Sequence, residues 1–190
     1  MCKMRASHAA RRQKVSALRK AGRGMIPVMG VDPGVNGGLA VLDKFGEPVY
    51  TAAFRNYWTH RQLVESVVSG FVALRAIRYG YPPALTSRTV YVETVGYIGR
   101  RPGREKGDGG KGAFTFGQVA GLIRGALHAV DADVREALPM TWQSRMKCLS
   151  GGDKNVTKAR AMELYPQIKM THYIADALLI ARYGWERMCL

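Results

Sequence analysis

Apolar positions along this chain come in short blocks, and the spacing inside each block predicts its element. Ile26 to Asp32 reads as a first strand closed by an acid, followed by a tight glycine-rich turn, Asp32-Pro33-Gly34-Val35-Asn36-Gly37-Gly38. Leu39–Leu42 predicts a second strand, Asp43-Lys44-Phe45-Gly46 a hairpin turn, and Val49–Phe54 a third strand. Over residues 60–79 the spacing becomes helical, with Leu63, Val64, Val67, Val68, Phe71, Leu74 and Ile77 as the apolar set, and Tyr81-Pro82-Pro83 ends the segment. Arg88–Glu93, β-branched and aromatic, is a fourth strand, and Asp133–Leu138 a short fifth. Residues 97–113 are glycine-rich, basic and aperiodic, which reads as a mobile loop. Helices are predicted over 115–130, 140–148 and 154–165, the last with Asp153 as its cap, and from the Thr171 cap to about residue 188. Three antiparallel strands, helix, strand, helix, strand and further helices predict an α/β fold, one mixed five-stranded sheet with helices packed on it.

Three acids interrupt this pattern. Asp32 closes the first strand, Glu93 closes Thr89-Val90-Tyr91-Val92, and Asp176 lies inside Ile174-Ala175-Asp176-Ala177-Leu178-Leu179-Ile180-Ala181. The chain has 14 acids against 29 basic residues, so three acids in its most apolar segments need a reason. A carboxylate taken out of water is unfavourable unless something cationic compensates it, and a divalent metal is the usual compensation where several converge. Each acid also has an ordinary explanation: Asp-Pro-Gly starts turns, a strand's last residue exits to solvent, and an acid one turn into a helix favours its dipole. Taken together, two acids at strand ends and a third on a helix that can cross the sheet match where α/β sheets build their sites. Backbone amides of the Gly37-Gly38 turn can also approach a phosphate closely.

Charge narrows the partner. The net charge is +15, and residues 1–24 carry eight of the 29 Lys/Arg and no acid. The body remains basic without this arm, which points to a polyanion and favours nucleic acid over a mere basic tag. Residues 1–24 read as a basic, disordered arm and residues 25–190 as one domain. At 190 residues, 47% hydrophobic, the chain can bury a full core. No apolar stretch approaches a membrane span and no apolar h-region follows Met1, so no membrane and no secretory signal are expected. Cys2, Cys148 and Cys189 form no CxxC pair, and reduced cytosolic thiols are the reading. The expected location is the cytoplasm of a bacterial or phage-infected cell, with a mitochondrial location as the alternative that the Arg-rich start allows.

With these residues in view, the chain resembles the RuvC-type Holliday-junction resolvases, especially their phage and prophage relatives. The carrying residues are Gly30-Val31-Asp32-Pro33-Gly34, Val92-Glu93, Phe114-Thr115-Phe116-Gly117-Gln118 with Gly121 and Gly125, and Pro139-Met140-Thr141-Trp142-Gln143. Lys154 with Lys158-Ala159-Arg160-Ala161, and Ala175-Asp176-Ala177-Leu178-Leu179-Ile180-Ala181, complete the set, which spans about residues 26–184. The resemblance implies an RNase H-like fold, a homodimer, and Mg²⁺-dependent nicking of four-way DNA junctions, with Mn²⁺ as a substitute ion. It implies Asp32, Glu93 and Asp176 as metal ligands and basic residues around Lys147, Lys154 and Lys158 near the scissile phosphate. One position departs: the family's fourth ligand, an Asp or His three residues before the last aspartate, is Tyr173 here. His172, at i−4 from Asp176, shares a helix face with it and is a stand-in or a surface residue near the helix start.

Arg100, Arg101, Arg104, Lys106 and Lys111 follow Glu93 directly, as a phosphate clamp or a solvated connection, and Tyr97 and Ile98 can stack on or wedge between bases. Gly117, Gly121 and Gly125 recur on one helix face. Each glycine lowers helix stability by roughly 1 kcal/mol, so the stripe needs a packing reason, against the sheet or against a partner helix. No small-molecule substrate is expected. Three other functions fit parts of the pattern: another RNase H-like nuclease or strand transferase, a catalytically inactive junction-binding protein, and an actin-like nucleotide-binding protein, which the length disfavours.

Overall fold

The structure is a computed structural model that describes residues 26–54, 59–77, 88–94, 110–149 and 151–188. The basic arm and most of the 97–113 segment, with Tyr97, Arg100, Arg101, Arg104 and Lys106, lie outside the described residues. Five strands appear in chain order: β1 (Val28–Asp32), β2 (Gly38–Leu42), β3 (Pro48–Ala53), β4 (Thr89–Glu93) and β5 (Asp133–Ala137). The helices among the described residues are α1 (His60–Ala76), α2 (Gly110–Ala129), α3 (Pro139–Arg145), α4 (Lys154–Leu164) and α5 (His172–Met188).

The strands form one sheet in the order β3-β2-β1-β4-β5. β1, β2 and β3 pair antiparallel, while β1–β4 and β4–β5 pair parallel. The antiparallel half follows from short turns. In the β2–β3 hairpin the Gly46 amide donates to the Asp43 carbonyl at 2.9 Å, Gly46 takes φ +76°, and Asp43 Oδ1 accepts from the Phe45 amide at 2.8 Å. The parallel half requires crossovers, and helices supply them.

The central strands are buried on both faces, as a mixed sheet covered on two sides demands. Alternate residues divide between two cores. Met29, Val31, Leu39, Val41, Val90 and Val92 face α1 and α2, with Phe71, Leu74, Ile123 and Leu127. Val28, Ala40, Leu42, Tyr91 and Ala137 face α3, α4 and α5, with Trp142, Tyr165, Leu178, Ile180 and Trp185. α5 runs across β1, β2 and β4 and is buried from Ala177 to Trp185. Gly30 makes that approach possible: a Cβ there would collide with the backbone nitrogen of Ala181 and lie 2.6 Å from the carbonyl oxygen of Ala177.

Four expectations need correction. α2 begins at Gly110, not Thr115, so Lys111 belongs to a helix; glycine's poor propensity hid a first turn that the rest of the helix carries. α3 stops at Arg145, and α1 at Ala76. The Gly37-Gly38 turn is not a phosphate cradle. The Gly37 amide donates to the Gly34 carbonyl at 2.8 Å, and Cβ atoms at Gly37 and Gly38 would strike the carbonyl oxygens of Asp32 and Tyr173. Asp153 and Thr171 do cap their helices, accepting from the amides of Asn155 at 2.9 Å and Ile174 at 3.3 Å.

Candidate metal and phosphate site

β1 and β4 run parallel in the register Gly30↔Tyr91 and Val31↔Val92, so Asp32 and Glu93 follow side by side at the strand ends. Both continue the alternation of Gly30 and Tyr91 and point to the α5 face of the sheet. Ala177 and Ala181 of α5 sit on Gly30, which sets Asp176 over the same strand ends. Three acids far apart in the chain are thereby drawn to one place. The explanation of Glu93 as a strand exit fails, because its carboxylate is half-buried and accepts from the Trp142 indole at 3.0 Å.

The three acids act on one another electrostatically. Burial, then the Asp176 charge, raises Asp32 from the ordinary 3.8 to about 6, although the Gly34 amide, 3.1 Å from Oδ1, opposes the shift. Burial, then Asp32, raises Glu93 from 4.5 to about 7, against the Trp142 hydrogen bond. Burial also pushes Asp176 up, against the Thr157 hydroxyl and the charges of Lys154 and His172. Lys154 is the lysine whose charge lowers all three. Lys158 follows one turn later on α4, half-buried, and Lys147 is exposed after α3 at φ +58°. His172 Nδ1 lies 3.3 Å from the Lys154 carbonyl oxygen, which ties the start of α5 to the start of α4. Tyr173, in the departing position, is 39% exposed.

The donor chemistry suits a hard divalent cation. The acids converge beside the buried Cys148 thiol, which burial and then the Asp176 charge push up to about 11, and Oδ1 of Asp176 is buried without a hydrogen-bond partner. A buried carboxylate oxygen with no donor is costly, and a cation is the group that would satisfy it. Among the described residues no group of three or more His, Cys, Asp or Glu side chains is arranged to hold a metal ion. A cation that satisfied Asp176 Oδ1 would need water or substrate oxygens to complete its shell, as Mg²⁺ commonly does. Asp32 and Glu93 each have one oxygen engaged by a protein donor.

Three further residues emerge from the structure. Trp142 holds Glu93 by the indole. Thr157, 4% exposed, sits beside Asp176, its hydroxyl 3.1 Å from the Lys154 carbonyl oxygen. Arg124 pairs Nη1 with Glu136 Oε1 at 2.8 Å and Nη2 with Oε2 at 3.1 Å, while Nη2 reaches the Glu93 carbonyl at 3.5 Å. The sequence signals for these are slight: a tryptophan in an apolar block, a threonine at i+3 from Lys154, and an arginine one turn from a glycine stripe.

No protein-family model matches the chain, and no curated protein does. Solved structures do. The chain is similar to Thermus thermophilus RuvC in complex with a Holliday junction substrate, at TM-score 0.53 and 16% identity over 85% of this chain and 94% of that one. A second Thermus thermophilus RuvC structure matches at TM-score 0.53 and 17% identity, over 85% and 95% of the two chains. At that identity the likeness shows the fold alone: the mixed five-stranded sheet with its flanking helices is RuvC-like. No described helix is long and apolar enough to cross a membrane.

Proposed function

We propose that this chain is a metal-dependent endonuclease that resolves four-way DNA junctions. The observation that carries the reading is the convergence of Asp32, Glu93 and Asp176, with Lys154 beside them, at the strand ends of a RuvC-like sheet. Asp32, Glu93 and Asp176 would hold Mg²⁺, or Mn²⁺ in its place. Such an ion, when bound, supplies Lewis acidity toward a phosphodiester and toward the attacking water. The protein's own contribution is placement. The carboxylates gather positive charge at one point, and burial makes each of them a poor anion without it. Lys154 sets a fixed positive charge beside that point, where charge develops on a phosphate under attack. Lys158 and Lys147 extend the positive surface, and His172 steadies Asp176 and the α4 start. Arg100, Arg101, Arg104, Lys106, Lys111 and Tyr97 are proposed to grip the branched DNA.

The partner is a second copy of the chain. Among the described residues, Cβ atoms added at Gly117, Gly121 and Gly125 would meet nothing within 4 Å, so the stripe does not pack on the sheet. Phe114, 66% exposed, continues that face. Two such sites related by a two-fold axis suit paired incisions.

The test is a panel of labelled four-way junction, linear duplex and RNA–DNA hybrid, each with Mg²⁺ and with EDTA. Paired nicks in the junction are expected, lost in EDTA and in Asp32→Asn, while Asp32→Asn still binds the junction. Cleavage confined to the hybrid would move the protein to another RNase H-like activity. Undiminished cleavage by Asp32→Asn would sink the mechanism.

A further inference from the structure

We propose that Trp142 is a positioning residue for the metal site, its indole N–H fixing the Glu93 carboxylate by Oε1 so that Oε2 is left for a cation; this rests on the metal-site reading above. The geometry begins in the sheet. β4 and β5 pair Glu93 with Ala137, and the Thr94 amide donates to the Ala137 carbonyl at 2.9 Å. Leu138 follows, Pro139 starts α3 where a missing N–H is harmless, and the first turn carries Trp142 back over the end of β4. The indole is 1% exposed and its N–H lies 3.0 Å from Oε1.

The other described tryptophan is an internal control. Trp185 is equally buried, and its indole donates to a main-chain carbonyl, that of Lys44, at 3.1 Å. That is the ordinary way to satisfy a buried indole. Trp142 instead donates to one of the acids proposed to hold metal. A hydrogen bond to a charged acceptor is stronger and more directional than one to a neutral carbonyl.

The Trp142 backbone is itself held within its helix. Its amide donates to the Leu138 carbonyl at 3.0 Å, and its carbonyl accepts from the Met146 amide at 2.8 Å. The Met146 carbonyl in turn accepts from Arg160 Nε of α4 at 2.8 Å. From the other side Arg124 reaches the Glu93 carbonyl. Glu93 is thus fixed at its carboxylate by one helix and at its backbone by another. Groups that hold a ligand in this way typically change metal affinity by roughly ten- to a hundredfold when removed.

The decisive experiment follows the indole protons by ¹H–¹⁵N NMR in the full-length wild-type protein. Glu93→Gln and a Mg²⁺ titration should each move the Trp142 resonance and leave that of Trp185 in place. Replacement of Trp142 by phenylalanine identifies its resonance. A shape-matched benzothienylalanine at the same position, with sulfur replacing N–H, covers the case in which the phenylalanine protein does not fold. Either replacement should raise the half-saturating Mg²⁺ for junction cleavage by roughly tenfold or more. The rate at saturating Mg²⁺ and junction binding in EDTA should stay near wild type. A Trp142 resonance unmoved by Glu93→Gln and by Mg²⁺, or a folded replacement with wild-type Mg²⁺ dependence, overturns the proposal. If the wild type cuts no DNA, the nuclease reading falls, and the NMR titration alone decides the role of Trp142.

Discussion

The two long helices on opposite faces of the sheet use glycine in opposite ways. Under α5 the glycines lie at contacts: Gly30 in β1 admits the α5 backbone, and Gly184 on α5 itself makes room for the Tyr91 ring. On α2 the glycines at 117, 121 and 125 meet none of the other described residues. A small residue in the first setting permits a packed contact inside the chain. In the second it only weakens the helix, unless something outside the chain presses on it. Sequence spacing leaves the α2 stripe facing either the sheet or a partner helix, and among the described residues the sheet does not meet it.

This contrast can be broken, beginning with its largest consequence. Gly30→Ala puts a methyl group against α5 backbone, which cannot rotate away. We expect a loss above about 4 kcal/mol, read as the absence of a cooperative melt and of near-ultraviolet circular dichroism. A variant melting with the wild type would show that α5 can lift from β1 at little cost.

The next effect comes from charge on the α5 face. Asp32 and Glu93 have folded values raised above the ordinary 3.8 and 4.5, to about 6 and about 7. The folded protein therefore keeps protons that the unfolded chain releases. Their contribution to stability is complete below the unfolded values and is lost as pH rises through about 4 to 7. Metal-free protein should melt lower at about pH 7.5 than at about pH 5, and Mg²⁺ should restore part of the loss. Asp32→Asn should raise metal-free stability by about 2 kcal/mol at the higher pH and change little below about pH 4. Chemical denaturation at both pH values, with EDTA and with Mg²⁺, measures this. A destabilised Asp32→Asn at neutral pH would mean that the carboxylate is not under strain.

The smallest effect probes α2. In the dissociated monomer, Gly121→Ala removes roughly 1 kcal/mol of helix penalty, so Tm measured below the dimer's concentration should rise by about 2–4 °C in a domain of this size. Gly121→Leu should keep the fold and convert a dimer to monomer in light scattering. If Gly121→Leu remains a well-folded dimer, the interface lies elsewhere.

How much of this was legible beforehand depends on the range of the interactions. The strands, the caps at Asp153 and Thr171, and the hairpin at Asp43–Gly46 rest on neighbours within a few residues, and spacing reveals those. Asp32, Glu93 and Asp176 were legible because a charge in an apolar block is anomalous wherever it sits. Trp142, Thr157 and Arg124 were not, because each is ordinary in its own segment. The indole acquires its meaning only when β4–β5 pairing delivers it to Glu93. The start of α2 at Gly110 was missed because local propensity points against it. The grip of Arg100, Arg101 and Arg104 on DNA stays where the sequence left it, outside the described residues.

The order in which the three acids occur along the chain has a consequence for synthesis. Asp32 leaves the ribosome early, Glu93 in mid-chain, and Asp176 only with α5, the helix that also covers one face of β1, β2 and β4. Contacts this distant in sequence form late, after the loops between them have closed. A growing or truncated chain thus holds two acids on an uncovered sheet and lacks the third. Such a fragment lacks one of the three acids of the proposed site, so that site is completed in the same step that completes the core.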